Sequence, residues 1–128
     1  MRGWILAAAV AALYGCTSTG PSKPISAHTD VELCNLYSKT QDSEVRQEVR
    51  RRGIIPEHEW AHIDANRIRM GNSAMSLACT RGLPSYPGRI NNSVGSWGVK
   101  SQWVYRQCTR CRPTYVYTEN GVITGWQN

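Results

Sequence analysis

Two alternating runs of aromatic and β-branched residues meet at the dipeptide Asn120-Gly121, in the stretch YVYTENGVITGW that spans residues 115–126. Asn-Gly supplies the two positive-φ positions of a type I′ turn, so the stretch predicts a tight hairpin with Glu119 opposite Val122. Counting back from the turn pairs Thr118 with Ile123, Tyr117 with Thr124, Val116 with Gly125 and Tyr115 with Trp126. A third strand is predicted upstream, from Gln102-Trp103-Val104-Tyr105, after a turn of five to seven residues. Alternation then puts Val116, Thr118 and Ile123 on one face and Tyr115, Tyr117, Val122 and Trp126 on the other. Three strands cannot bury two apolar faces alone. Helices must close one face, and the other is left to the segment between Arg89 and Lys100 or to a partner. The expected fold is therefore α+β, three or four short helices packed on a three-stranded antiparallel meander.

The helices are marked by their ends. Thr29 and Glu32 have capping-box spacing and predict a helix carrying Leu33, Cys34, Leu36 and Tyr37 inward. A second helix runs from about Ser43 to Arg52, with Val45 and Val49 as its apolar stripe and Gly53 as its stop. Its run Arg50-Arg51-Arg52 reads as a helix end set against the negative pole of the dipole. Pro56 opens a third helix. Asn72 or Ser73 caps a fourth, which Gly82 ends and Pro84 prevents from continuing.

The N-terminal stretch MRGWILAAAVAALYG has one basic residue and about ten apolar ones, too few to span a bilayer and suited to a secretory signal. Leu13-Tyr14-Gly15-Cys16 then resembles the lipobox of bacterial lipoproteins, whose cysteine is acylated and becomes the mature N-terminus. The resemblance implies residues 1–15 as signal peptide and acylated Cys16 with a tether to residue 28. Without an aspartate after the cysteine, it further implies anchoring on the periplasmic face of the outer membrane. A helical segment over 29–69 and a second segment over 70–128 complete the expected organisation.

Charge is unevenly divided within a net of +6. Thr17 to Asp64 holds six Lys/Arg and eight Asp/Glu, whereas Ala65 to Asn128 holds eight Lys/Arg and the single acid Glu119. The sheet half is thus the cationic half. In an exported protein such a surface faces anionic lipid headgroups or an acidic protein rather than nucleic acid.

Several motifs over residues 71–128 carry a second resemblance. They are the capped helix ending Gly82-Leu83-Pro84, the segment Arg89-Ile90-Asn91-Asn92, Gln102-Trp103-Val104-Tyr105, the Tyr-Val-Tyr-x-Glu-Asn-Gly hairpin and the terminal Gly125-Trp126-Gln127. Together they resemble small outer-membrane lipoproteins of the SmpA/OmlA type, whose fold is that of the β-lactamase inhibitory proteins. The resemblance implies helices on a three-stranded sheet and a non-enzymatic envelope scaffold or assembly factor, with residues 29–69 as an added helical segment. The expected contact residues for a protein partner or anionic headgroups are Tyr115, Tyr117 and Trp126 on the sheet, with Arg106, Arg110 and Arg112 in the preceding loop. No cofactor or metal is expected.

Two motifs point to other chemistry. His58-Glu59-Trp60-Ala61-His62 matches H-E-x-x-H, which in zinc hydrolases sets two imidazoles and a general base on one helical face. Here the chain offers no evident third ligand, and Trp60 and Ile63, if buried, turn both histidines outward. Cys108-Thr109-Arg110-Cys111 has redox-motif spacing beside arginines that would lower a thiol pKa, yet it falls in a strand-to-strand loop rather than at a helix N-terminus. Setting Cys16 aside leaves Cys34, Cys79, Cys108 and Cys111, an even set for an oxidising compartment. Cys34 and Cys79 lie on inward stripes of separate helices and are expected to join, and Cys108 with Cys111 to form a local disulfide or an idle thiol pair.

Overall fold

The computed structural model describes residues 23–128. The signal segment, Cys16 and the first part of the tether lie outside the described residues. The architecture is α+β. In chain order the described residues form α1 (Asp30–Thr40), α2 (Ser43–Arg52), α3 (Trp60–Asp64) and α4 (Ala74–Arg81), then β1 (Arg89–Gly95), β2 (Gly98–Tyr105), β3 (Thr114–Glu119) and β4 (Val122–Gln127).

Local chemistry sets the helix ends. The Thr29 hydroxyl accepts from the Glu32 N–H, and the Glu32 carboxylate accepts from the Thr29 N–H, closing a capping box on α1. Asp42 caps α2 through the N–H groups of Glu44 and Val45, and Gly53 ends it at a φ of 64°. Ser73 caps α4 through the Ser76 N–H. The triple arginine that closes α2 is consumed internally, because Arg50 pairs with Glu57, Arg51 with Glu48, and Arg52 with both Glu48 and Asp30. Trp60 is buried, with the guanidinium carbons of Arg46 and Arg50 at 4.6 and 4.7 Å from its ring centre.

One core joins helices and sheet. Leu33, Val49, Leu77, Trp103, Val116 and Ile123 are buried in the same cluster. α1 and α4 meet at the disulfide Cys34–Cys79, where the two Cα atoms are 4.1 Å apart. The seam continues at Gly82, whose φ is 73° and where an added Cβ would come within 2.6 Å of the Ser38 hydroxyl and 2.9 Å of Asn35 Oδ1. Only glycine fits so near the partner helix. Asn35 Oδ1 instead accepts the Leu83 N–H at 2.9 Å, turning the chain away from α4 toward the sheet.

The sheet has four strands in the order β1-β2-β3-β4, all antiparallel, one more than the sequence predicts. Arg89–Gly95 does not fold back over the tyrosines. It pairs along its whole length with β2, which begins at Gly98, in a register running from Arg89 opposite Val104 to Gly95 opposite Gly98. The signal lay in the alternation of Ile90, Asn92 and Val94 ahead of a turn bounded by Gly95 and Gly98.

The second correction concerns register. Glu119–Val122 and Thr118–Ile123 pair as the Asn-Gly turn dictates, but a bulge then leaves Thr124 unpaired, so Tyr117 faces Gly125, Val116 faces Trp126 and Tyr115 faces Gln127. One extra residue flips every later side chain. Trp126 therefore joins Val116, Thr118 and Ile123 on the helix side, while Tyr115, Tyr117 and Val122 stay on the other. The three aromatic residues do not form one surface.

Removing the Cys34–Cys79 link, whose residues are 45 apart in sequence, by a double substitution to alanine is expected to lower unfolding stability by about 3 to 4 kcal/mol. Losing Cys108–Cys111, with a separation of 3, should cost about 1.5 kcal/mol, and denaturant titration of the two variants gives the comparison. The bond from Lys23 holds the Glu32 carboxyl down at about 2, and the bonds from Arg51 and Arg52 hold Glu48 equally low. A depressed carboxylate stabilises above its unfolded pKa, so this contribution is complete above pH ~4.5 and declines as pH falls toward about 2. An acid titration of Glu48→Gln should be flatter across that window than that of the parent.

Candidate functional site: a basic cleft between helix ends and sheet

Two helices end at the same place. α1 delivers Lys39 in its last turn, and α4 delivers Arg81 in its last turn. The 106–113 loop joining β2 to β3 brings Arg106 and Arg112 opposite them. Between these groups lies a cleft of about 560 Å³, lined also by Ile68, Leu83, Ser85, Tyr105, Gln107, Cys111, Thr114 and Val116. Four cations and no carboxylate line it.

Each side chain is placed by an identifiable constraint. The Gly82 contact fixes where α4 stops, and Tyr105 fixes it against the sheet by donating its hydroxyl to the Gly82 carbonyl at 2.7 Å. Burial pushes the Tyr105 phenol above its ordinary range, so it remains a donor at all physiological pH values. Arg106 donates through one terminal nitrogen to the Thr109 carbonyl at 3.2 Å, while its Nε is buried without a hydrogen-bond partner among the described residues. Cys111 donates its N–H to the Cys108 carbonyl at 3.1 Å, and the two thiols are joined, so the CxxC sequence forms a closed turn that walls the cleft.

With Lys39 as the exception, the electrostatics follow the division seen along the chain. Among the described residues, Lys23, Arg46, Arg50, Arg51 and Arg52 in the helical half form ion pairs, whereas Lys39, Arg81, Arg106 and Arg112 form none. Glu119, the one acid of the sheet half, is taken by Lys100 at 3.7 Å. Guanidinium groups held near one another without a carboxylate create a positive potential that a carboxylate or phosphate would neutralise through paired N–H···O bonds. A second hollow continues past Ile68, Arg81 and Thr114 to Arg67 and Trp126. The bulge that moved Trp126 thus sets an aromatic ring beside the cationic groups.

The residues singled out from sequence divide between locations. Arg106 and Arg112 line the cleft, and exposed Arg110 does not. Tyr115 and Tyr117 stack at 6.5 Å between ring centres on the opposite face of the sheet, half-buried. Lys39, Arg81, Tyr105 and Ile68 carried no site signal in the sequence. A cation in the last turn of a helix is where the dipole alone would place one, which conceals a second use.

Of the H-E-x-x-H residues, Glu59 and His62 are engaged in packing and hydrogen bonds. Glu59 is 2% exposed, and its carboxylate accepts from both the N–H and the hydroxyl of Ser73, tying the start of α3 to the cap of α4. His58 is exposed. His62 sits with Nδ1 3.1 Å from the Asn72 amide and Nε2 3.2 Å from Arg69. The two imidazoles and the carboxylate do not converge on a common opening, and no group of three or more His, Cys, Asp or Glu suited to holding a metal occurs among the described residues.

No family model, no curated protein and no solved structure matches the chain.

Glu59→Ala is expected to destabilise the fold by about 2 to 3 kcal/mol, since it removes the buried carboxyl that accepts from both the N–H and the hydroxyl of part-buried Ser73. His58→Ala should stay within about 0.5 kcal/mol of the parent. Paired denaturant curves measure both. A general-base role for Glu59 would require an activity that disappears in Glu59→Gln while the fold is kept.

Proposed function

We propose that the protein is a non-enzymatic envelope lipoprotein, anchored through acylated Cys16 at the periplasmic face of the outer membrane, that holds an acidic group of a partner in its basic cleft. The observation that carries the reading is the set Lys39, Arg81, Arg106 and Arg112 around about 560 Å³ with no acid in the lining. Arginines left without ion pairs in a chain whose other half pairs its own extensively are available to an outside anion. The hollow has the size of a small-ligand site, and its apolar members Ile68, Leu83 and Val116 offer contact to the carbon part of whatever bears the charge. Resemblance to SmpA/OmlA-type lipoproteins, with Asn120-Gly121 and the capped helix before Gly82 as its motifs, supports an envelope scaffold rather than an enzyme. Acidic protein side chains and phosphate-bearing lipid headgroups share the required chemistry. We prefer the cleft to the tyrosine face as the contact site, because Arg106 and Arg112 line it and Trp126 lies in the hollow that continues from it.

Two measurements test the reading. Intact mass and membrane fractionation, with Cys16→Ser alongside, should give an acylated outer-membrane species for the parent and a soluble, unmodified one for the variant. Binding of the purified full chain to vesicles with and without anionic phospholipid, and to an acidic peptide, should weaken by about tenfold or more in Arg81→Glu/Arg112→Glu, equivalent to about 1.4 kcal/mol. The loss should shrink with added salt. Retention by vesicles alone assigns the headgroup and retention by peptide alone assigns a protein. Binding that the double variant leaves unchanged removes the cleft from consideration.

A further inference from the structure

The two edges of the sheet are treated differently. At β4 the chain covers the turn-proximal part of its own edge: Gly71 donates to the Ile123 carbonyl, Ile123 donates to the Asn72 carbonyl and Ala74 donates to the Gly121 carbonyl, each at 2.8 Å. At β1 no described residue adds a further strand or bridge, and Arg89 to Val94 are all exposed. β1 also lacks the usual protections of an open edge, with no proline, no bulge in its pairing to β2 and no charge beyond Arg89 at its start.

The backbone groups that point off this edge can be identified. Asn120 donates its N–H to the Val99 carbonyl at 2.8 Å, so the backbone of Val99 faces β3. Alternation turns Lys100, Gln102 and Val104 toward β1, where they meet Ser93, Asn91 and Arg89. The N–H and C=O groups of Ile90, Asn92 and Val94 are therefore the ones left facing outward.

We propose that β1 pairs antiparallel with β1 of a second copy of this chain, about a two-fold axis through Asn92, to make one continuous sheet across two molecules. The side chains are self-complementary in that register alone among those using the outward groups symmetrically about β1. Asn92 meets its own copy, Ile90 meets Val94 of the second copy, and Val94 meets its Ile90. Each of these pairs exchanges both of its backbone hydrogen bonds, because the outward-facing residues of one strand are opposite the outward-facing residues of the other. Ile90 and Val94, 36% and 76% exposed, cover one another on the helix side, with Val99 from β2 beside them. On the other side Asn91 meets Ser93. Arg89 falls opposite Gly95, so the one charge of the strand never faces its equivalent.

Cross-linking of the full chain in the cells that express it tests the pairing. Asn92→Cys should be joined to itself by a short bismaleimide, since residues opposite each other in a hydrogen-bonded pair have Cα atoms about 5.5 Å apart. Thr124→Cys, exposed on β4 at the far edge of the sheet, should give several-fold less product. Two differently tagged copies should co-purify as parent and separate as Asn92→Pro. That variant keeps the β1–β2 ladder, because the N–H it removes points outward. Asn92→Lys, which sets like charges across the axis, provides the same test should proline disturb the fold. A product of twice the monomer mass specific to Asn92→Cys, with loss of co-purification in the edge variants, supports the proposal. No product, equal product at Thr124→Cys, or an adduct to a different polypeptide overturns it.

Discussion

The contact between α1 and α4 governs the rest of the molecule. Cys34 and Cys79 bring the helix backbones together, and Gly82 lets the end of α4 rest against Asn35 and Ser38. The junction has two results. Leu33 and Leu77 enter one core with Trp103, Val116 and Ile123 of the sheet, and Lys39 and Arg81 are brought to the same cleft. Helix ends that carry like charges would separate if free, and burial together with the cross-link holds them at a distance that electrostatics alone opposes. Removal of apolar surface from water thus holds a positive site open.

Much of this was legible before any coordinates, and for uneven reasons. Features decided within a few residues were read correctly: the Thr29/Glu32 box, Gly53 and Gly82 as stops, and the Asn120-Gly121 turn. Each depends on a side chain bonding to a nearby backbone group or on a φ that glycine and asparagine tolerate. The bulge at Thr124 was not legible, because the Asn-Gly turn dictates only the pairs next to it and nothing within Val122 to Gly125 announces an extra residue. β1 was missed for a different reason. A strand exposed along its length has polar residues in the places where a buried strand has apolar ones, and its alternation is faint.

The cleft was only half visible. Arg106 and Arg112 announce themselves by clustering in a short loop, but Lys39 and Arg81 come from positions separated by about two-fifths of the described chain and meet only through folding. Glu59 shows the converse. Its place in H-E-x-x-H gives it a chemical look, while its bonds to Ser73 make it the external acceptor that completes the cap of α4. A carboxylate on another helix substitutes there for the glutamate that a capping box would place inside α4 itself.

The segment from Gly71 to Ala74 that lies along β4 bears on assembly as well as on stability. A sheet with both edges open can add molecules at either side without limit and grow into a fibre. Covering part of one edge with the chain's own backbone makes the two edges unequal toward strand addition. A strand added beside β4 must displace these bonds at Gly121 and Ile123, whereas one added at β1 displaces nothing, so three hydrogen bonds on the opposite edge weigh against growth beyond the first addition.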